Sequence, residues 1–245
     1  MGRSLRMDGP HPADVVELRS ERAASWRVPW PVFALGVVTL ALLGLLWLGH
    51  ELVEGDGARF DRAIILAMRV PGHPGQPIGP AWLPSAVRDV TALGSSTILT
   101  FVVIATASFL ALKRRFDTAG MMIAASVLGA SAVTLVKALV DRSRPDLIDR
   151  LMHETSSSFP SGHAANSAIV YLTLATLLFP VLGDRKMRGF VLGIALLLVG
   201  AIGVSRVYLG VHWPSDVLAG WAFGSLWALL WWRIELTAFR ARRAG

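Results

Sequence analysis

Long apolar runs alternate along the chain with short polar, turn-rich segments. Within each run the apolar positions are continuous and do not alternate residue by residue. Six runs stand out, at about Pro31–Leu52, Val90–Leu112, Thr118–Val140, Gly162–Leu182, Gly189–Leu209 and Pro214–Trp232. A helix crosses the hydrocarbon core of a bilayer with roughly 20 apolar residues, and each run is near that length. A membrane β-barrel would show alternating segments of about ten residues instead. The pattern therefore predicts an all-α fold, a six-helix transmembrane bundle.

The connector between the first two runs, about Val53 to Asp89, is the longest. Phe60, Ile64 and Met68 recur there at helical spacing, with Asp61, Arg62 and Arg69 between them. This predicts a short amphipathic helix lying in the membrane interface. Pro71, Gly72, Pro74, Gly75, Pro77, Gly79 and Pro80 then break the chain. Trp82 and Leu83 suit a second interfacial piece. The connector is expected to be a cover resting on the membrane; a lid, or a wall of the lipid's route inward, is the alternative. No internal repeat or low-complexity tract appears. The expected organisation is a tail over 1–30, a six-span domain over 31–232 and a basic tail over 233–245.

Composition supports the bilayer. The chain is 53% hydrophobic and 17% charged, where a soluble domain carries about 25% charged residues. It has no cysteine, which excludes disulfides, Cys-ligated zinc and a Cys nucleophile. A net charge of +7 resembles the footprint of a nucleic-acid binder. Cytoplasmic loops of membrane proteins collect Lys and Arg for topological reasons, however, and no nucleic-acid partner is expected. Met1 to Arg27 is polar and Arg-rich, and the apolar run after it is too long for the core of a cleaved signal peptide. With the N-terminus inside, the cytoplasm receives both tails and the loops holding Lys113, Arg114, Arg115, Arg185, Lys186 and Arg188. That places 15 of the 24 Lys and Arg residues there. Both termini are thus expected in the cytoplasm of a cell bounded by this inner (plasma) membrane.

Charged groups at membrane depth are costly and tend to be functional. Lys137 sits one turn before the end of the third run, and Arg142, Arg144 and Pro145 follow it. His163 opens the fourth run, Arg206 lies at the end of the fifth, and His212 and Asp216 bracket the start of the sixth. Each has an ordinary account taken alone. Lys137 could snorkel to the interface, Arg144 stop a helix, and His163 be a structural histidine. Arg206 could cap a helix dipole, and His212 with Asp216 form a helix-start pair. Those accounts do not explain why all of them fall at one outer, periplasmic or extracellular, level.

Lys137, Arg144 and Arg206 suit a dianion, because arginine offers a planar fork matched to phosphate oxygens and lysine a point charge. Ser161 is a favoured N-cap, Gly162 permits close backbone approach, and free amides at a helix start form an anion site. The Ser161 and Gly162 amides are therefore expected to face a phosphate held by the three cations. Asp216, four residues after His212, can fix the imidazole tautomer on Nδ1 and leave Nε2 free to attack phosphorus. His163, from another helix, is placed to protonate the leaving oxygen and later to deprotonate water. No metal or cofactor is required, and no acidic cluster suits magnesium.

Three elements together, Lys137-x6-Arg144-Pro145, Pro160-Ser161-Gly162-His163 and Ser205-Arg206-x5-His212-x3-Asp216, resemble the signature of the type 2 phosphatidic acid phosphatase superfamily. The resemblance implies metal-independent, vanadate-sensitive hydrolysis of a lipid phosphate at the outer face of the membrane, through a phosphohistidine. It implies His212 as nucleophile, His163 as acid and Asp216 as orienting group, with Lys137, Arg144, Ser161, Gly162 and Arg206 binding phosphate. Relatives of this size act on phosphatidic acid, phosphatidylglycerophosphate, undecaprenyl pyrophosphate or lipid A phosphates, and the motifs do not choose among these. A membrane protein that only binds or transports a lipid phosphate is the alternative function. His153 and Glu154, in the connector 146–158, are expected to be a solvated loop pair. The motifs leave oligomeric state open.

Overall fold

The structure is a computed structural model. It describes Gly44, residues 57–180 and residues 182–244; the N-terminal tail and, apart from Gly44, the first expected span lie outside those residues. The chain is mostly helical. In order come α1 (Gly57–Ala67), β1 (Arg69–Val70), β2 (His73–Pro77), α2 (Leu83–Ala92), α3 (Ser96–Leu112), α4 (Phe116–Leu139), α5 (Gly162–Leu177), α6 (Arg185–Tyr208) and α7 (Pro214–Ala244). Among the described residues α4, α6 and the Pro214–Thr237 part of α7 are long and apolar enough to cross a membrane. The bent pair α2–α3 reaches that length if taken as one span. The outward side chains match such surroundings: Phe101, Ile104, Leu139 and Leu197 are each 60–72% exposed, an apolar exterior that water does not favour.

Several elements depart from the expected pattern. The second run is not one helix from Val90. It breaks at Leu93–Ser95 into α2 and α3, which bend by 44°, because the Ser95 side chain caps α3 by accepting from Ile98 N at 3.3 Å. The fourth run ends at Leu177 instead of Leu182, giving a helix of 16 residues. The last helix continues through the basic segment expected to be a tail, as far as Ala244. Strands were not expected; the Pro- and Gly-rich stretch forms an antiparallel two-stranded ribbon, with Arg69 opposite Pro77 and Val70 opposite His73.

The first helix exists as predicted, and Ile64 and Met68 pack against the core, but its inward face is centred on Asp61 and Ile65 and leaves Phe60 outside. Phe60 is 49% exposed, whereas Asp61 and Ile65 are fully buried. The helix therefore packs into the protein through Asp61 and Ile65, and is more than a cover resting on lipid. A buried carboxylate is tolerated only with partners, and those of Asp61 lie at the site described below.

α5 is the centre of the core. Ala164, Ala165, Ala168, Ile169 and Val170 are all buried, and α7 crosses it at backbone distance. A Cβ at Gly220 would come 2.9 Å from Ser161 O, and one at Gly224 would come 2.7 Å from Ala165 O. Glycines four apart facing alanines permit this approach. The consequence is positional: the first turn of α5 lies against the first turn of α7, and Ser161 N donates to Asp216 O at 3.0 Å.

Candidate active site

The ends of α4 and α6 and the starts of α5 and α7 bring the expected residues to one end of the bundle. His212 and Asp216 are buried there. Asp216 Oδ2 lies 3.5 Å from His212 Nδ1, and it accepts from Ser158 Oγ at 2.5 Å and Trp213 N at 3.0 Å. Asp216 Oδ1 accepts from Arg142 Nη1 at 2.5 Å. On the other edge of the imidazole, Nε2 lies 3.4 Å from Arg144 Nη1. A guanidinium only donates, so Nε2 bears the lone pair and Nδ1 carries the proton toward Asp216. Burial pushes the His212 pKa down to about 4, against the hydrogen bond and charge of Asp216 and with the charges of Arg206 and Arg144. The ring is therefore neutral at physiological pH.

Arg144 borders this imidazole, Arg206 is near enough to act on its charge, and Lys137 is near Arg144 and Asp216. Lys137, in the last turn of α4, donates from Nζ to Ser157 O at 2.6 Å. Arg144 donates from Nε to Ser156 O at 2.8 Å, from Nη1 to Val211 O at 2.6 Å and from Nη2 to Ser156 Oγ at 3.1 Å. Arg206, fully buried in the last turn of α6, donates from Nη1 to Thr91 Oγ1 at 3.3 Å. Glu154 joins the two arginines. Its Oε1 accepts from Arg206 Nη2, and its Oε2 lies 3.8 Å from Arg144 Nη2. Burial opposes ionisation of this carboxyl, but the hydrogen bond and charge of Arg206, with Arg144, hold it below the ordinary range. Glu154 is thus no solvated loop residue, as its sequence context suggests. It is the counter-ion of the cationic pocket.

The start of α5 differs from expectation in one donor. The Ser161 amide is used by Asp216 O and does not face the pocket. The Ser161 hydroxyl, by contrast, is fully buried without a partner among the described residues. Gly162 and His163 occupy the first helical positions, whose amides have no carbonyl one turn back. The Lys137 side chain passes over Gly162, whose Cβ would lie 3.5 Å from Lys137 Cε.

The His163 ring sits against the break between α2 and α3. A Cβ at Gly94 would lie 3.3 Å from His163 Cδ2 and 2.5 Å from Ile202 Cγ2, so glycine there lets the break pack closely against both side chains. The ring nitrogens make no hydrogen bond to any described residue, which leaves them open to a ligand. The pocket can hold a tetrahedral dianion between cations, a neutral imidazole and a second imidazole free to exchange a proton.

Sequence reasoning placed Arg142 at this level without a role, named Asp61 only as a polar position of the interfacial helix, and missed Ser158. Arg142 is the shared partner of two buried carboxylates, donating to Asp216 and, from Nη2 at 2.7 Å, to Asp61 Oδ2. The available signal was an Arg two residues before Arg144 in a segment without regular structure.

Residues 116–240 match the profile of the PAP2 superfamily. The chain is 36% identical over 151 residues to phosphatidylglycerophosphatase B of Bacillus subtilis (strain 168), covering 59% of this chain and 71% of that protein. It is 45% identical over 83 residues to the undecaprenyl-diphosphatase of Sulfolobus acidocaldarius, covering 34% of this chain and 36% of that protein. The crystal structure of a transmembrane PAP2-type phosphatidylglycerolphosphate phosphatase from Bacillus subtilis superposes with a TM-score of 0.71 at 30% identity, covering 81% of this chain and 96% of that one. In sequence and in fold, this chain belongs to the PAP2 superfamily.

Proposed function

We propose that this protein is a membrane lipid phosphatase that removes a terminal phosphate through a phosphohistidine on His212. The observation that carries the reading is the buried imidazole of His212, set between Asp216 and Arg144. Nδ1 is turned to Asp216 at 3.5 Å and Nε2 to the donor Arg144 Nη1 at 3.4 Å, the arrangement that leaves Nε2 with its lone pair.

In the first step a lipid phosphate displaces Glu154 from Arg144 and Arg206. Lys137, the Ser161 hydroxyl and the amides from Gly162 onward complete the cradle. His212 Nε2 attacks phosphorus, the P–O bond to the lipid breaks, and His163 gives its proton to the departing oxygen. The Nδ1 proton stays on the ring, stabilised by Asp216 as the imidazole becomes cationic. In the second step His163 takes a proton from water. The resulting hydroxide attacks phosphorus, the P–N bond breaks, and inorganic phosphate leaves with His212 neutral again. The cations neutralise the equatorial oxygens, so no step calls on a metal or cofactor.

The proposed topology has six spans: the run Pro31–Leu52, the bent pair α2–α3, and α4 to α7. Together they form one domain over 31–232. The excess of Lys and Arg at the opposite end of the bundle favours cytoplasmic termini and a site at the outer face of the inner membrane. The broader of the two sequence matches makes phosphatidylglycerophosphate the first substrate to test.

The test is phosphate release by detergent-purified protein from phosphatidylglycerophosphate, phosphatidic acid, undecaprenyl diphosphate and lipid A phosphate, beside His212→Ala. Release by wild type alone is expected. Equal release by both proteins would rule out His212 as the nucleophile, and none from folded wild type would favour a binding or transport role.

A further inference from the structure

Asp61 lies on α1, outside the segment that matches the family profile. It is fully buried, and both carboxylate oxygens are engaged: Oδ1 accepts from Ser215 N at 2.8 Å, and Oδ2 from Ser215 Oγ at 2.5 Å and Arg142 Nη2 at 2.7 Å. Arg142 donates its other terminal nitrogen to Asp216 Oδ1 at 2.5 Å and to Ser215 Oγ at 2.8 Å. Its guanidinium also rests over the Trp213 ring, 5.8 Å from the centroid. One guanidinium is thus shared by two carboxylates, and the line Asp61–Arg142–Asp216 ends on the group that faces His212.

Burying three charged groups costs stability unless each is paired and hydrogen-bonded. Ile65, one turn further along α1 and equally buried, already ties this helix to the protein without that cost. Two consequences at Asp216 make sense of the polar tie. The first is geometric: with Nη2 held by Asp61, the planar fork of Arg142 fixes the angle of the Asp216 carboxylate. Oδ2 is thereby left toward Nδ1. The second is electrostatic: Asp61 neutralises Arg142, and the charge of Asp216 remains available to the imidazolium that forms during reaction.

We propose that Asp61 is a positioning residue for the phosphatase reaction, acting through Arg142 on the orientation and charge of Asp216 against His212. The inference rests on the reading of His212 as nucleophile.

Asp61→Asn keeps the shape and removes the charge. Turnover should fall about tenfold or more, the scale seen where the hydrogen-bond partners behind metal-binding side chains are removed, with KM within about twofold of wild type. The acid limb of kcat/KM should move to lower pH. Arg142, stripped of one carboxylate, then acts as a cation on His212, while Arg144, Arg206, Lys137, His163 and Glu154 around the two histidines are unchanged. In an Asp216→Asn background, Asp61→Asn should add nothing, whereas a folding defect would multiply. Ser215→Ala, which takes one bond from each of Asp61 and Arg142 and leaves all charges, should lower turnover in the same direction by less. It carries the test if Asp61→Asn does not fold. Turnover within twofold of wild type in a folded variant would overturn the proposal. So would a loss that leaves the acid limb in place and multiplies with Asp216→Asn. His212→Ala runs in parallel: phosphate release by that variant would defeat the nucleophile reading itself, whatever Asp61 does.

Discussion

Arg144 Nη1 faces His212 Nε2 at 3.4 Å, and that contact assigns the protonation of the ring, because a guanidinium has no lone pair to offer. The same side chain is clamped by Ser156 and by the Val211 carbonyl. An incoming phosphate oxygen would therefore meet Arg144 beside the attacking nitrogen. Lysine keeps the charge but not the fork. Hydrogen bonds to charged groups contribute about 1.5–3 kcal/mol, so Arg144→Lys should lower kcat/KM by roughly 10- to 100-fold. Initial rates on the preferred lipid decide it; a variant within threefold of wild type would mean that point charge alone suffices.

Protonation of His212 should be shifted measurably. Burial pushes its pKa down to about 4, from about 6.5 in an unfolded chain. Below 6.5 the unfolded state binds the proton more readily than the folded one. The neutral ring thus contributes stability that is fully present above pH 6.5 and is lost as pH falls toward 4. Carbon-13 NMR of labelled histidines, with His212→Gln for assignment, should show the ring neutral at pH 5. Vanadate should raise the midpoint, since an adjacent anion favours the imidazolium. A midpoint near 6.5 without ligand would show that the ring is hydrated in solution.

The helical fold and the candidate site were legible for different reasons. Apolar runs reveal spans because lipid demands continuous hydrophobicity, and α4 and α6 fall close to their expected ends. Lys137, Arg144, His163, Arg206, His212 and Asp216 stood out because charge at membrane depth needs explanation. Asp61 could not be found that way. It lies in a connector full of polar residues, and its partner Arg142 is 81 positions away, a pairing made by tertiary packing alone. Glu154 was hidden likewise, since only the fold brings its loop across Arg206. The break at Leu93–Ser95 lay inside a run read as one span, although Gly94, Ser95, Ser96 and Thr97 interrupt its apolar residues; its cause is the Ser95 cap that starts α3.

Asp216 serves both the chemistry and the fold, and the two should separate experimentally. Asp216→Asn leaves Arg142 and Ser158 partly served but removes the charge behind the imidazolium. Loss of the corresponding charge in a serine protease costs about 10⁴-fold in turnover, and a large fall in kcat with little change in KM is expected here. Breaking a buried ion pair also costs about 3–5 kcal/mol, so the melting temperature in detergent should drop as well. A melting loss with kcat preserved would make Asp216 a structural residue.

Glu154 competes with phosphate for Arg206 and Arg144. It is about a quarter exposed, so its pairing is partly screened and contributes only about 1 kcal/mol. Glu154→Gln should therefore bind vanadate and inorganic phosphate roughly fivefold more tightly. Competitive inhibition constants measure this. Weaker inhibition would mean that the carboxylate organises the two arginines for phosphate and does not merely occupy their place.

Helix spacing at Gly220 should control the site from outside it. A Cβ there would lie 2.9 Å from Ser161 O, 3.0 Å from Ala165 N and 3.1 Å from Ala164 Cβ. Two of those three atoms are backbone and cannot swing aside, so α5 and α7 must part. Parting them stretches the bond from Ser161 N to Asp216 O, and with it the relation between the two helix starts that hold the pocket. Overpacking of this kind costs about 1–3 kcal/mol, and the displacement should reduce turnover beyond what the loss of folded protein explains. Gly200→Ala is the control. That position has nothing within 4 Å of the added Cβ, and alanine in a helix interior gains roughly 0.5–1 kcal/mol over glycine. Gly220→Ala should melt lower and turn over more slowly than wild type, while Gly200→Ala should melt at the same temperature or higher with unchanged activity. Equal behaviour of the two variants would show that the close crossing of α5 and α7 does not set the geometry of Ser161 and Asp216.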